Sequence, residues 1–140
     1  MLQKLHDTNQ MEIEMGHLAE AKGASRATKE FGRKLVADHT RADGKVAAFL
    51  KLRGLDVKVL ATTTSADPAH AVAADQGGEV FDRTFAAQMV KDHEKAIDLV
   101  EGAHRATSDE QLKVLYGELL PVLHEHKQAA QKLAEGKGRL

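Results

Sequence analysis

The chain has 140 residues, 42% of them hydrophobic and 4% aromatic, which is typical of one domain with an aliphatic core. Its 20 basic residues are balanced by 21 acidic ones and form no cluster. This argues against binding to nucleic acid or to an anionic membrane surface. The absence of cysteine excludes disulfides, thiolate metal ligands and thiol catalysis. Because no apolar run approaches the roughly 18 residues of a membrane span, we expect no membrane insertion.

Four segments carry helical periodicity, and they predict helices over residues 2–22, 25–53, 79–106 and 109–135. Gly23 and Ser25 mark the first turn as a C-terminal glycine followed by an N-cap. Ser108 and Gln111 predict a capping box at the last turn, with Ser108 as the N-cap. Since both turns are short, the first two helices should be antiparallel neighbours, and so should the last two.

Residues 54–78 connect the second predicted helix to the third. A helix of about 27 residues is roughly 40 Å long, and a connection of this length can run back along it. The pattern therefore predicts an all-α, antiparallel four-helix bundle, with residues 1–140 as one domain and a long crossover between the helix pairs. Asp67-Pro68 predicts a short helix within the crossover. A simple up-and-down bundle with an irregular loop is the alternative.

The last three predicted helices each place one histidine in the middle of an apolar stripe, at His39, His93 and His126. Counted from the turns, all three lie near the middle of the bundle. In the first helix, Glu12 and Glu14 flank the predicted core side, and only one of them can point fully inward. That core side is predicted to contain Met11, Met15, Leu18 and Ala19. Imidazoles and carboxylates that converge inside a bundle suit a divalent transition metal such as Zn, Fe, Mn or Cu.

Each of these histidines follows an acid, at Asp38, Asp92 and Glu125. Such an acid can hold the second nitrogen of a ligating ring, but adjacent helical residues diverge by about 100°, so it can also serve another helix. One alternative is a structural or interaction bundle whose core histidines are only hydrogen-bonded to carboxylates. Another is an oxidative di-metal enzyme, which needs carboxylate bridges and an open coordination position.

Four stretches of this chain match a known family in order and spacing: MEIEMGHLA, KLVADHTRA, FDRTFAAQMVKDHEKAIDLVE and LLPVLHEHKQAA. They resemble domain of unknown function 4142, a set of bacterial, mostly exported proteins that are often labelled outer-membrane proteins and grouped with ferritin-like bundles. The resemblance implies a ferritin-like fold and a periplasmic or exported location, with a cytoplasmic location as the alternative. It implies no established reaction. The residues at family positions are Glu12, Glu14, Asp38, His39, Asp92, His93, Glu101, Pro121 and His126.

We therefore expect a bundle that binds a divalent transition metal through His39, His93 and His126 together with Glu12 or Glu14. Four further acids are expected to surround these ligands, namely Asp38, Asp92, Glu125 and Glu101. The expected role is metal handling or stress protection. No nucleophile elbow, phosphate loop or dinucleotide motif indicates an enzyme. The expected partners are the metal ion and, in a homodimer, a second copy of the chain.

Overall fold

The computed structural model describes residues 1–55 and 77–136. These residues form four helices, α1 (Leu2–Lys22), α2 (Arg26–Leu52), α3 (Gly78–Ala106) and α4 (Glu110–Ala134), and no strand. Each helix begins and ends within one residue of its predicted bound, which confirms the all-α bundle. The short helix predicted at Asp67 lies outside the described residues. Among the described helices, none has an apolar stretch long enough to cross a membrane.

The helices pack as two pairs, α1 with α2 and α3 with α4, and the pairs meet through α1 and α3 and through α2 and α4. At one end, Asp82 near the start of α3 accepts hydrogen bonds from the backbone N–H groups of Ala24 and Ser25, each at 2.9 Å. At the other end, Arg53 after α2 donates to Asp109 before α4. The end of α2 and the start of α3 therefore lie at opposite ends of the bundle, as predicted for a long connection.

The N-cap of α4 is Asp109, so the prediction of Ser108 was wrong. Asp109 accepts hydrogen bonds from the backbone N–H groups of Gln111 at 2.9 Å and Leu112 at 3.2 Å. A carboxylate at this position also benefits from the helix dipole and from the guanidinium of Arg53, which a serine hydroxyl does not. Ser25 caps α2 as predicted, accepting from the N–H of Thr28.

The core consists of two apolar clusters. One contains Val46 and Val100, and the other contains Leu35, Phe85 and Met89. Along every helix a buried polar residue lies between the members of the two clusters. These residues are Asn9 and Glu12 in α1, His39 in α2, Asp92 and His93 in α3, and His126 in α4. The sequence thus folds into a bundle with one polar layer near its middle.

The buried face of α1 differs from the prediction. Met15 and Ala19 are buried, but Met11 and Leu18 are only half-buried. The buried residues of α1 are Leu5, Asn9, Glu12, Met15, Gly16 and Ala19. Gly16 explains the difference, because a Cβ atom there would lie 2.7 Å from the carbonyl oxygen of Gly32 in α2. This close backbone contact fixes which face of α1 points inward.

Replacing Gly32 with alanine is expected to destabilise the protein by about 1–3 kcal/mol, because overpacking forces backbone shifts. A Cβ atom at Gly32 would lie 2.6 Å from the carbonyl oxygen of Gly16. Gly44→Ala is the matched control, since it lies in the same helix with open space around it. The control should stabilise the protein by up to about 1 kcal/mol through helix propensity. Urea unfolding measures both changes, and equal effects of the two variants would contradict the close contact.

Candidate metal centre

The imidazole rings of His39, His93 and His126 form one compact cluster in the polar layer. Their side chains come from three different helices and are 3%, 0% and 0% exposed, respectively. The ring centroids lie 5.1 Å apart for His39 and His126, 5.2 Å for His93 and His126, and 5.7 Å for His39 and His93. One ring nitrogen from each histidine lies within 4.8 Å of the others. The structure therefore brings together all three histidines selected from the sequence.

Each ring directs one nitrogen at an oxygen atom that can only accept a hydrogen bond. His39 Nδ1 lies 2.9 Å from Asn9 Oδ1, and His93 Nδ1 lies 2.9 Å from the carbonyl oxygen of Met89. His126 Nε2 lies 2.8 Å from Asp38 Oδ2. These nitrogens must be the donors, so in the neutral rings the other nitrogens carry lone pairs. Those nitrogens are Nε2 of His39, Nε2 of His93 and Nδ1 of His126.

Two of these lone pairs face each other, because His93 Nε2 lies 3.3 Å from His126 Nδ1. No proton can lie between them unless one ring becomes an imidazolium or gives up its oxygen partner. A tetrahedral ion with metal–nitrogen bonds of about 2.0–2.1 Å separates two nitrogen ligands by about 3.3 Å. This pair of nitrogens is therefore already at the spacing that such a cation requires.

Burial keeps the rings neutral in the folded protein. It lowers the pKa of His39 to about 3, helped by His126 and His93, and it lowers the pKa of His93 to about 4. The pKa of His126 is also lowered by burial, although the hydrogen bond to Asp38 opposes that change. Neutral imidazoles are the form that binds transition metals, so no proton has to leave these rings at neutral pH.

The structure separates the two acids of α1. Glu12 is 1% exposed, whereas Glu14 lies on the exposed side of the helix and away from the cluster. Glu12 Oε1 lies 3.8 Å from His93 Nδ1, and Glu12 Oε2 has no hydrogen-bond partner among the described residues. Burial, and then the charge of Asp92, raises the pKa of Glu12 well above its usual value. Glu12 is not a member of the group of mutually close ligand atoms, which consists of the three histidines.

Asp38 serves His126 on a different helix, although it directly precedes His39 in the sequence. Its carboxylate also accepts from Lys34 Nζ at 2.9 Å and from Arg41 at 3.2 Å. Burial acts to raise the pKa of Asp38, but the hydrogen bonds from His126 and Lys34 lower it overall. Asp38 therefore remains ionised and holds the His126 ring with its Nδ1 toward the other two histidines.

The other three acids selected from the sequence lie further out. Asp92 is buried beside Glu12 and accepts a hydrogen bond from Gln88 at 2.9 Å. Glu125 is exposed and pairs with Lys34 at 3.3 Å. Glu101 pairs with Arg105 and His124 near the surface. Within residues 1–55 and 77–136, Asp38 thus supplies the only carboxylate that is hydrogen-bonded to the three histidines.

Sequence reasoning missed two residues of this site, Asn9 and Lys34. Asn9 is 6% exposed and orients His39, and Lys34 links Asp38 to Glu125. A signal for Asn9 was present, because steps of three and four residues from Leu5 to Ala19 pass through Asn9 and Glu12. Lys34 carried no such signal, since it lies on the half-exposed side of α2.

The family described as Domain of unknown function (DUF4142) matches residues 1–133. The chain belongs to this family. No curated protein matched the chain, and no solved structure matched it. Among the DUF4142 positions noted in the sequence, His39, His93 and His126 form the cluster, whereas Glu14 and Glu101 lie outside it.

Proposed function

We propose that this protein binds one divalent transition metal ion through His39, His93 and His126. Its proposed role is metal handling or protection against metal stress, rather than turnover of an organic substrate. The observation that supports the proposal is the direction of the three rings. Each ring has one nitrogen fixed by an oxygen acceptor, which leaves a lone pair on its other nitrogen, and the three buried rings lie so close that one nitrogen of each is within 4.8 Å of the others.

The surroundings of the rings also support a metal site. Ligating histidines commonly donate their second N–H to a carboxylate or a backbone carbonyl, which fixes the tautomer and increases the basicity of the ring. His126 has such a carboxylate in Asp38, and His93 has such a carbonyl in Met89. His39 has the amide oxygen of Asn9 in the same role. All three rings are thus oriented before any ion arrives.

The ligand set favours some metals over others. Three imidazoles without a thiolate suit Zn²⁺ and Cu²⁺, whereas Mn²⁺ prefers carboxylate and water oxygens. Among the described residues, the acids lie outside the group of mutually close ligand atoms. We therefore propose Zn²⁺ or Cu²⁺ ahead of Fe²⁺ and Mn²⁺.

The test is metal binding by protein purified without a polyhistidine tag and stripped with a chelator. Isothermal titration with Zn²⁺ should show one equivalent bound, and Co²⁺ should give the intense visible absorption of a tetrahedral site. Replacing any one of His39, His93 and His126 with alanine should weaken binding by about 100-fold or more, since each supplies one of three protein ligands. Elemental analysis of untagged protein from its natural host then identifies the native metal.

His17→Ala and His124→Ala are the matched controls, because these side chains are 64% and 51% exposed. Both controls should bind one equivalent with unchanged affinity, and circular dichroism should show that all variants remain helical. The proposal fails if wild-type protein binds no metal, or if the triple variant His39→Ala, His93→Ala, His126→Ala binds it equally well. The periplasmic or exported location and the homodimer stay predictions from the sequence.

A further inference from the structure

The three proposed metal ligands come from both halves of the bundle. Helices α1 and α2 form one hairpin, helices α3 and α4 form a second, and the surface along which they meet is the hairpin interface. His39 belongs to the first hairpin, and His93 and His126 belong to the second. The ring centroid of His39 lies 5.7 Å from that of His93 and 5.1 Å from that of His126. An ion bound to all three rings therefore connects the two hairpins.

Each hairpin is held together more tightly than the two hairpins are held to each other. Short turns, at residues 23–25 and 107–109, connect the helices within each hairpin. In the first hairpin the two backbones also touch, since a Cβ atom at Gly16 would lie 2.7 Å from the carbonyl oxygen of Gly32. Contacts between helices are more extensive within each hairpin than across the hairpin interface. Each hairpin can therefore move as one unit.

The polar layer weakens the hairpin interface when no ion is bound. Three buried atoms of the first hairpin have no hydrogen-bond partner among the described residues, namely Asn9 Nδ2, Glu12 Oε2 and His39 Nε2. In the second hairpin, His93 Nε2 and His126 Nδ1 face each other at 3.3 Å with a lone pair on each. Buried polar groups without partners cost free energy, and they regain partners when water reaches them. Opening the hairpin interface relieves this cost.

Two ion pairs that cross the hairpin interface add little to its stability. Lys45 Nζ lies 2.7 Å from Glu118 Oε2, and Lys34 Nζ lies 3.3 Å from Glu125 Oε1. All four side chains are at least 39% exposed, and exposed ion pairs contribute little because water and salt screen them. A cavity of about 60 Å³, lined by residues of all four helices, leaves part of the same interface unfilled. Close packing and strong polar bonds are therefore both incomplete on this side.

We propose that the metal ion cross-links the two hairpins, so that metal binding controls how often the hairpin interface opens. This inference rests on the metal site proposed above. In the metal-free protein, the apolar clusters and the hydrogen bond from His126 to Asp38 close the interface most of the time. The interface then opens more often than the whole chain unfolds. Bound metal prevents this opening, because His39 cannot leave His93 and His126 without breaking a bond to the ion. Metal loading thereby changes the exposure of the apolar core.

The experiment measures how fast a buried thiol is labelled. The chain has no cysteine, so a single introduced cysteine reports on one position. Val46→Cys places the thiol in α2, at a site that is 0% exposed and lies in the same apolar cluster as Val100 of α3. Iodoacetamide reaches this thiol only when the interface opens or the chain unfolds, and mass spectrometry measures the labelled fraction.

In metal-free protein, Val46→Cys should be labelled at least about tenfold faster than global unfolding allows. The labelling rate should also rise less steeply with urea than global unfolding does, because opening exposes less surface than unfolding. Zinc at about 100 times its dissociation constant should slow labelling by about 100-fold, because only the ion-free fraction can open.

Two controls test the role of the ion. Ala48→Cys lies on the exposed side of the same helix and should be labelled at the rate of a free thiol with or without zinc. His39→Ala combined with Val46→Cys removes the one proposed ligand of the first hairpin. Zinc should no longer slow labelling in this variant, even at a concentration that saturates His93 and His126. Val100→Cys repeats the measurement from the second hairpin and decides the question if Val46→Cys fails to fold.

The outcomes separate this inference from the metal site itself. Labelling that matches global unfolding at every urea concentration would overturn the inference, since the hairpins would then separate only when the chain unfolds. Fast labelling that bound zinc does not slow would also overturn it, since the ion would not hold the hairpins together. Failure to bind zinc at all would instead count against the proposed function.

Discussion

The metal-free protein is expected to lose several kcal/mol of its free energy of unfolding as the pH falls from about 6.5 to 4. Burial lowers the pKa of His39 to about 3 and of His93 to about 4, so both rings stay mostly neutral in the folded protein until the pH approaches 4. In the unfolded chain they take up protons below about pH 6.5. Their stabilising contribution is therefore complete above that pH and decreases toward their folded pKa values. By pH 4 each ring accounts for a loss on the order of 3 kcal/mol.

Glu12 acts in the opposite direction. Burial and the charge of Asp92 raise its pKa well above the ordinary value of 4.5, so the folded protein keeps a proton that the unfolded chain releases. Until the pH reaches about 4.5, the folded state therefore binds more protons at Glu12 than the unfolded chain does. Acidification to that pH favours the folded state and offsets the destabilising effect of about one histidine. Glu12→Gln should therefore make the loss of stability with acid steeper. His39→Leu should make it shallower.

Urea unfolding at several pH values, with a chelator present, measures these differences. His124→Leu is the matched control, because its side chain is 51% exposed and its replacement should leave the pH dependence as in wild type. Identical pH dependence in wild type, His39→Leu and Glu12→Gln would contradict the assignment of neutral, buried histidines and a protonated glutamate.

Zinc in large excess is expected to raise the midpoint of thermal unfolding by about 10–15 °C. An ion that binds only the folded state at about 1,000 times its dissociation constant stabilises that state by about 4 kcal/mol. For a chain of 140 residues, the entropy of unfolding converts this free energy into a shift of that size. Because the three rings are already neutral when folded, the shift should change little between about pH 7.5 and 6.

Differential scanning calorimetry with and without zinc measures the shift. The triple variant His39→Ala, His93→Ala, His126→Ala should show none, whereas His17→Ala should show the full effect because its side chain is 64% exposed. An equal shift in the triple variant would locate the zinc elsewhere and remove the support for a buried site.

Much of the fold could be predicted because helix periodicity and capping are local. The bounds of all four helices, the N-cap at Ser25 and the inward position of His39, His93 and His126 follow from residues within a few turns of each other. The prediction of the α4 N-cap was wrong for a non-local reason. Asp109 has a partner in Arg53 from another helix, and the local pattern of Ser108 contains no sign of it.

The sequence by itself determined that three histidines share the buried middle of a four-helix bundle, because a residue's face is set by its spacing along its own helix. Only the tertiary structure decided that Glu12 rather than Glu14 points inward, that Asp38 holds His126, and that Asn9 orients His39 beside a pocket. These facts depend on the rotation and axial offset of one helix against another. Contacts such as that between Gly16 and Gly32 set both, and they join residues far apart in the chain.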